Sequence, residues 1–96
     1  MRLQEHDRVR LPSRLDGSSV PAARDELFAA IDRATGDVVV DVSGVELVDV
    51  TGLGLLAAAH DRSRRLGHQL VLESPSAGLR RTLAVTRLRR VLRIAA

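Results

Sequence analysis

The sequence predicts an α/β fold, a mixed and largely parallel sheet of four to five strands with three to four helices. Three observations predict it. Short β-branched or alternating runs ("RVRL", "DVVVDV", "QLVLES") are separated by segments whose apolar residues recur at helical spacing. Strands that alternate with helices pair in parallel through crossovers, and such crossovers are right-handed. The chain has 96 residues, 45% of them apolar, which suits one domain spanning 1–96. Phe28 is the only aromatic residue, so the core is expected to be aliphatic.

The first strand is "RVRL" at 8–11, polar and apolar in turn. "PSRLDGSS" follows as a loop. Ser18 or Ser19 can cap the next helix, with Pro21 in its first turn. Val20, Ala23, Leu27, Ile31 and Ala34 mark that helix's apolar stripe, Asp25 and Glu26 lie toward the positive end of its dipole, and Gly36 ends it. Val38 to Val40 form a continuous β-branched run, as in a strand covered on both faces. Ser43-Gly44 marks a turn before Leu47 and Val48. A second helix begins near Thr51, with Thr51 as its N-cap. Leu53, Leu56, Ala57 and His60 share one face, Arg62, Arg64 and Arg65 the other, and Gly67 is the C-cap. "QLVLES" is the next strand. Pro75 stops it, and Ser76 caps a third helix carrying Leu79 and Leu83. The closing "VLRI" is a short strand or a helical tail.

Composition narrows the function. There is no cysteine, so disulfides and thiolate metal sites are excluded. His6, His60 and His68 have no i,i+4 pairing, which argues against a metal site. Asp37 and Asp41 could share a sheet edge, yet no nucleophilic motif accompanies them, and no enzyme activity or cofactor is expected. The start "MRLQEHDRVR" has no apolar h-region, and the longest apolar stretch, "LGLLAAA", is too short to span a bilayer. A cytoplasmic protein without a membrane partner is expected. Net charge is +3 and all fifteen basic residues are arginine, as codon bias in a GC-rich genome would produce. Arg80, Arg81, Arg87, Arg89, Arg90 and Arg93 make the last quarter basic. Without interleaved aromatics for stacking, no nucleic-acid partner is expected.

The chemistry-bearing stretch is "LVDVTGLG" at 47–54. A strand ends in Asp49 and a helix starts, leaving its first N–H groups without helical partners. Gly52 and Gly54 leave those donors accessible to an anion such as a phosphate. Thr51 is either an ordinary cap or a phosphoacceptor. The absence of Lys after the glycines excludes a phosphate-binding loop of the nucleotide type.

The whole chain resembles the STAS domain of bacterial anti-sigma factor antagonists. "RLPSRLDGSSVPAARDEL" looks like that family's first strand, Leu-Asp element and first helix. "DVVVDVSGVELVDVTGLGLL" looks like its central strands and switch helix, and "RSRRLGHQLVLESPSAGLRRTLAVTRLRRVLRI" like the remainder. The resemblance implies partner switching. Such a domain binds an anti-sigma factor that is also an ATP-dependent serine/threonine kinase, which phosphorylates it directly after the Asp and so ends the complex. It implies a contact surface of Asp16, Asp49, Val50, Thr51, Gly52, Leu53 and Gly54. This chain departs from the pattern in carrying Val50, without a hydroxyl, after Asp49. Thr51 is then the only phosphoacceptor candidate. A scaffold blind to phosphorylation and a small-ligand sensor are the alternatives.

Overall fold

In a computed structural model the described residues are 8–95. Their elements run β1 (Arg8–Arg10), β2 (Arg14–Leu15), α1 (Val20–Arg33), β3 (Val38–Asp41), β4 (Leu47–Val48), α2 (Val50–Arg65), β5 (Leu70–Glu73), α3 (Ala77–Val85), a short 3-10 turn (Leu88–Arg90) and β6 (Arg93–Ala95). Four strands form one sheet in the order β1-β3-β5-β6, and β2 and β4 form a separate pair. Every pairing among the described strands is parallel. His6 lies outside the described residues.

The register sorts side chains by face. Val9, Val40, Leu72 and Ile94 stand side by side across the sheet and point into the core. One residue earlier, Arg8, Val39, Val71 and Arg93 make the corresponding row on the opposite face, where Val39 and Val71 are half-buried and both arginines exposed. Coverage of Val38–Val40 on both faces is therefore not what the chain builds. β-branched residues favour the pleat on either side, so the run reported a strand without reporting its layers. Asp41 sits in β3 between β1 and β5, so it shares no sheet edge with Asp37.

The helices close the core with Ala23, Leu27, Ala30 and Ile31 from α1, Leu55, Leu56 and Ala59 from α2, and Leu79 and Leu83 from α3. α1 packs on α2, and Asp32 grips Arg62 across them through two 2.7 Å hydrogen bonds. The guanidiniums of Arg24 and Arg62 lie 4.6 and 4.7 Å from the Phe28 ring centroid, so two cations engage the single aromatic. Ser63 faces this interior with its hydroxyl fully buried and unpartnered.

Several local expectations are corrected. No acidic residue lies in the first turn of α1, because the helix starts at Val20 and Asp25 falls in its second turn. That helix ends at Arg33 with Ala34 closing it, two residues short of Gly36. The buried stripe of α2 is Gly52, Leu55, Leu56, Ala59 and Ser63; Leu53, Ala57 and His60 are only half-covered. The closing segment takes the strand alternative, β6 at Arg93–Ala95, and the 3-10 turn at Leu88–Arg90 lies before it. Ser76 does cap α3, its hydroxyl accepting from the Leu79 amide at 3.1 Å, and Gly67 closes α2 with φ of 81°.

Candidate functional site

The site begins with a backbone exchange between distant segments. β2 and β4 pair over two residues, Arg14 with Leu47 and Leu15 with Val48. Their register continues outward, since the Asp49 amide donates to the Leu15 carbonyl at 3.2 Å. The loop after β2 and the helix start after β4 are thereby set side by side, and Asp16 and Asp49 come to one surface.

Each carboxylate organises its own loop. Asp16 Oδ1 accepts from the Ser18 amide at 3.0 Å, the Ser18 hydroxyl at 2.7 Å and the Ser19 amide at 3.3 Å. The backbone of α1 then starts on the Asp16 carbonyl, which accepts from the Val20 amide at 2.8 Å. Ser19 occupies the cap position, yet its side chain makes no cap bond and instead donates to the Arg14 carbonyl at 2.5 Å. Asp49 is the N-cap of α2, accepting from the Gly52 amide at 3.0 Å.

Thr51 is therefore not the cap. It lies inside the first turn, and its hydroxyl donates to Asp49 Oδ1 at 2.6 Å. A carboxylate at the end of a strand is the stronger acceptor for a free helical N–H and takes the role from a neutral hydroxyl. The Ser18 hydroxyl and amide hold the Asp16 carboxyl below the usual carboxylate range, and the Thr51 hydroxyl and Gly52 amide do the same for Asp49. Both stay ionised at neutral pH with one oxygen of each tied to its own loop, which suits them to shaping those loops.

The glycines differ in kind. A Cβ on Gly52 would stand 2.4 Å from the Leu15 carbonyl oxygen and 2.7 Å from Val48 Cγ2, whereas one on Gly54 would meet nothing within 4 Å. Gly52 lets α2 press against β2; Gly54 is exposed. Leu53 is half-covered against the core. Val50 is 83% exposed, and Leu47, three residues before it, is 44% exposed.

All seven sequence-derived residues thus gather around one junction, with Asp16 arriving through the β2–β4 pair. Two neighbours were missed. Leu47 is apolar within a strand-like run, a pattern that signals burial, but a two-residue strand has no periodicity to reveal its face. Gly17 stands with its Cβ position 3.9 Å from the Thr51 hydroxyl oxygen, and the Asp-Gly pair at 16–17 was the available signal for a tight turn there. Beside the junction, a hollow of about 320 Å³ opens between β4 and α3, lined by Val45, Glu46, Leu47, Val48, Arg81 and Thr82 among others. Among the described residues, no group of three or more His, Cys, Asp or Glu is placed to hold a metal ion, and no helix is long and apolar enough to cross a membrane.

The family model described as "Mlab, STAS domain" matches residues 2–94. Solved structures share the fold. An anti-sigma factor antagonist candidate from Thermotoga maritima superposes with a TM-score of 0.79 at 22% identity, over 92% of this chain and 78% of that one. An anti-sigma-factor antagonist (STAS) domain protein from Planctomyces limnophilus gives 0.76 at 24% identity, over 92% and 81%. The Bacillus cell fate determinant SpoIIAA, in its phosphorylated form, gives 0.69 at 21% identity, over 95% and 85%. No curated protein matches the chain.

Proposed function

Because the chain belongs to the STAS domain family, we propose that it is a protein-binding module of the anti-sigma factor antagonist kind, acting in the cytoplasm and meeting an anti-sigma factor at the Asp16–Asp49 junction. The observation that carries this reading is Val50, a large apolar side chain 83% exposed at the first helical position of α2. It is flanked in the chain by Asp49 and Thr51, which are hydrogen-bonded to each other, and Leu47 in the strand before it is exposed as well. An apolar knob rimmed by fixed polar groups matches the anatomy of a protein interface. Domains of this family are in general binding domains, and carboxylates held below the usual range, as Asp16 and Asp49 are, suit loop shaping better than acid–base work.

Val50 also argues for a second reading, that the module binds without being switched. Phosphoryl transfer directly after Asp49 needs a hydroxyl, and valine has none. Thr51 has one, but it is engaged with Asp49 at 2.6 Å. A phosphate on it would crowd two negative charges together with the Asp49 carboxylate. Regulation by phosphorylation is then absent or slow.

The test uses the anti-sigma factor of the ATP-binding kinase type recovered with this chain from its source organism. Wild type, Thr51→Val and Val50→Ser are incubated with it and ATP, then followed by intact mass and site mapping. Wild type should remain unmodified or gain phosphate slowly at Thr51 alone, and Val50→Ser should be modified faster. Rapid, complete modification of Thr51 that Val50→Ser does not improve would overturn the phospho-blind reading. If no anti-sigma factor is recovered, or if the recovered one binds Val50→Asp as tightly as wild type, the contact surface itself is wrong.

A further inference from the structure

All twelve acidic residues of the chain lie before Ser74, and six of its fifteen arginines follow it. Codon bias accounts for arginine in place of lysine. It does not account for a stretch of 23 residues without one carboxylate. Among the described residues none of these six arginines enters an ion pair, while Arg8, Arg14, Arg62, Arg64 and Arg65 all do. The charge is concentrated where the chain turns over from α3 to β6. Residues 84–91 are all exposed except Leu88, which is half-covered. This knuckle carries Arg87, Arg89 and Arg90, with Val85 (78% exposed) at one end and Val91 (51%) at the other.

Arg87, at its apex, adds an independent observation. Its φ is 66°, in the left-handed region, and its amide donates to the Ala84 carbonyl as α3 ends. Glycine holds that conformation without strain, and a long side chain does not. A strained arginine between two exposed valines, in a stretch of chain without acidic residues, is locally unfavourable in three ways: like charges repel, apolar area is wetted, and the backbone is bent against preference. Such accumulated conflict marks a place shaped for something other than stability.

From this we infer that the 84–91 knuckle is a second docking face, and that its partner is an acidic protein surface with aliphatic residues among its carboxylates. Guanidinium forks match carboxylates two hydrogen bonds at a time. Val85 and Val91 supply the small dry centre that such pairs surround. Nucleic acid fits less well, because phosphate backbones give exposed valines nothing to cover and the chain has no aromatic here to stack on bases. An anionic membrane fits less well too. The apolar stripe of α3 is spent on the core through Leu79 and Leu83, leaving no amphipathic face to insert.

The test measures binding of three probes to the full chain at an ionic strength of about 0.15 M. They are a labelled peptide repeating Glu-Glu-Leu-Leu, a random-sequence DNA duplex, and vesicles of phosphatidylglycerol and phosphatidylcholine in equal parts. The peptide should bind most tightly. Arg87→Gly should weaken it about tenfold, the loss expected of one charge-assisted contact, while leaving the melting temperature unchanged or raised. That pairing of weaker binding with undiminished stability separates a lost contact from a damaged fold. Val85→Ser combined with Val91→Ser should weaken the peptide several-fold. The inference fails if the peptide does not bind, if duplex or vesicles bind more tightly, or if either variant binds the peptide as wild type does. It fails as well if Arg87→Gly weakens binding only by lowering the melting temperature.

Discussion

Gly52 and Gly54 occupy neighbouring positions in one helical turn and carry opposite constraints. A methyl on Gly52 would be driven into the Leu15 carbonyl, a backbone atom that cannot yield without opening the β2–β4 pair. Gly52→Ala is expected to cost about 1–3 kcal/mol through overpacking. Gly54→Ala meets open space and removes a flexible residue from a helix interior, so it should stabilise by about 0.5–1 kcal/mol. Urea midpoints of the two variants check this, and a shift of the same sign in both contradicts it. The sequence showed two glycines beside Asp49 and treated them alike. Which one is a contact depends on Leu15, far away along the chain, and no local pattern carries that. Thr51 illustrates the same limit. A hydroxyl at a helix start was legible, but whether it accepts as a cap or donates to a neighbour turns on a competition with Asp49 decided by acceptor strength.

At the level of elements, existence was more legible than orientation. The three helices start within about a residue of the expected positions, because Asp49 and Ser76 accept from free N–H groups and Pro21 presets the first turn of α1. The face of α2 was shifted by one residue. Its small residues Gly52, Ala59 and Ser63 line the core, where they bring α2 close, and apolarity alone did not single them out. Leu56 belongs to both the expected and the observed stripe and is 1% exposed. Leu56→Ala should therefore cost about 2–5 kcal/mol, and Leu53→Ala clearly less, since Leu53 is only partly covered. Equal losses in chemical denaturation would restore the stripe first expected. Strand β2 was not legible at all. Two residues give no periodicity, and the pairing that makes them a strand comes from β4.

Across the whole molecule, four carboxylates respond to acid in the same direction. Asp16, Asp32, Asp41 and Asp49 are all held below their usual 3.8, by Ser18, the Arg62 guanidinium, the Ser43 amide and the Thr51 hydroxyl respectively as the leading cause. A carboxylate more acidic in the folded state contributes stability that is complete above its unfolded value and is lost as pH falls through its folded one. The melting temperature, followed by circular dichroism, should stay level from neutral pH to about 5 and drop steadily below about 4. A level or rising midpoint in that acid range contradicts the hydrogen-bond arrangement of both loops. The sheet order has a consequence of another kind. β1, β3, β5 and β6 lie side by side in the order in which they occur in the chain. During synthesis each strand can therefore be laid against the one before it as it leaves the ribosome, and none has to wait for a later strand to be threaded between earlier ones. The paired acidic loops can be complete while α3 is still emerging, and the arginine knuckle forms only after α3. A growing chain would thus present its acidic loops to its surroundings before its arginine knuckle.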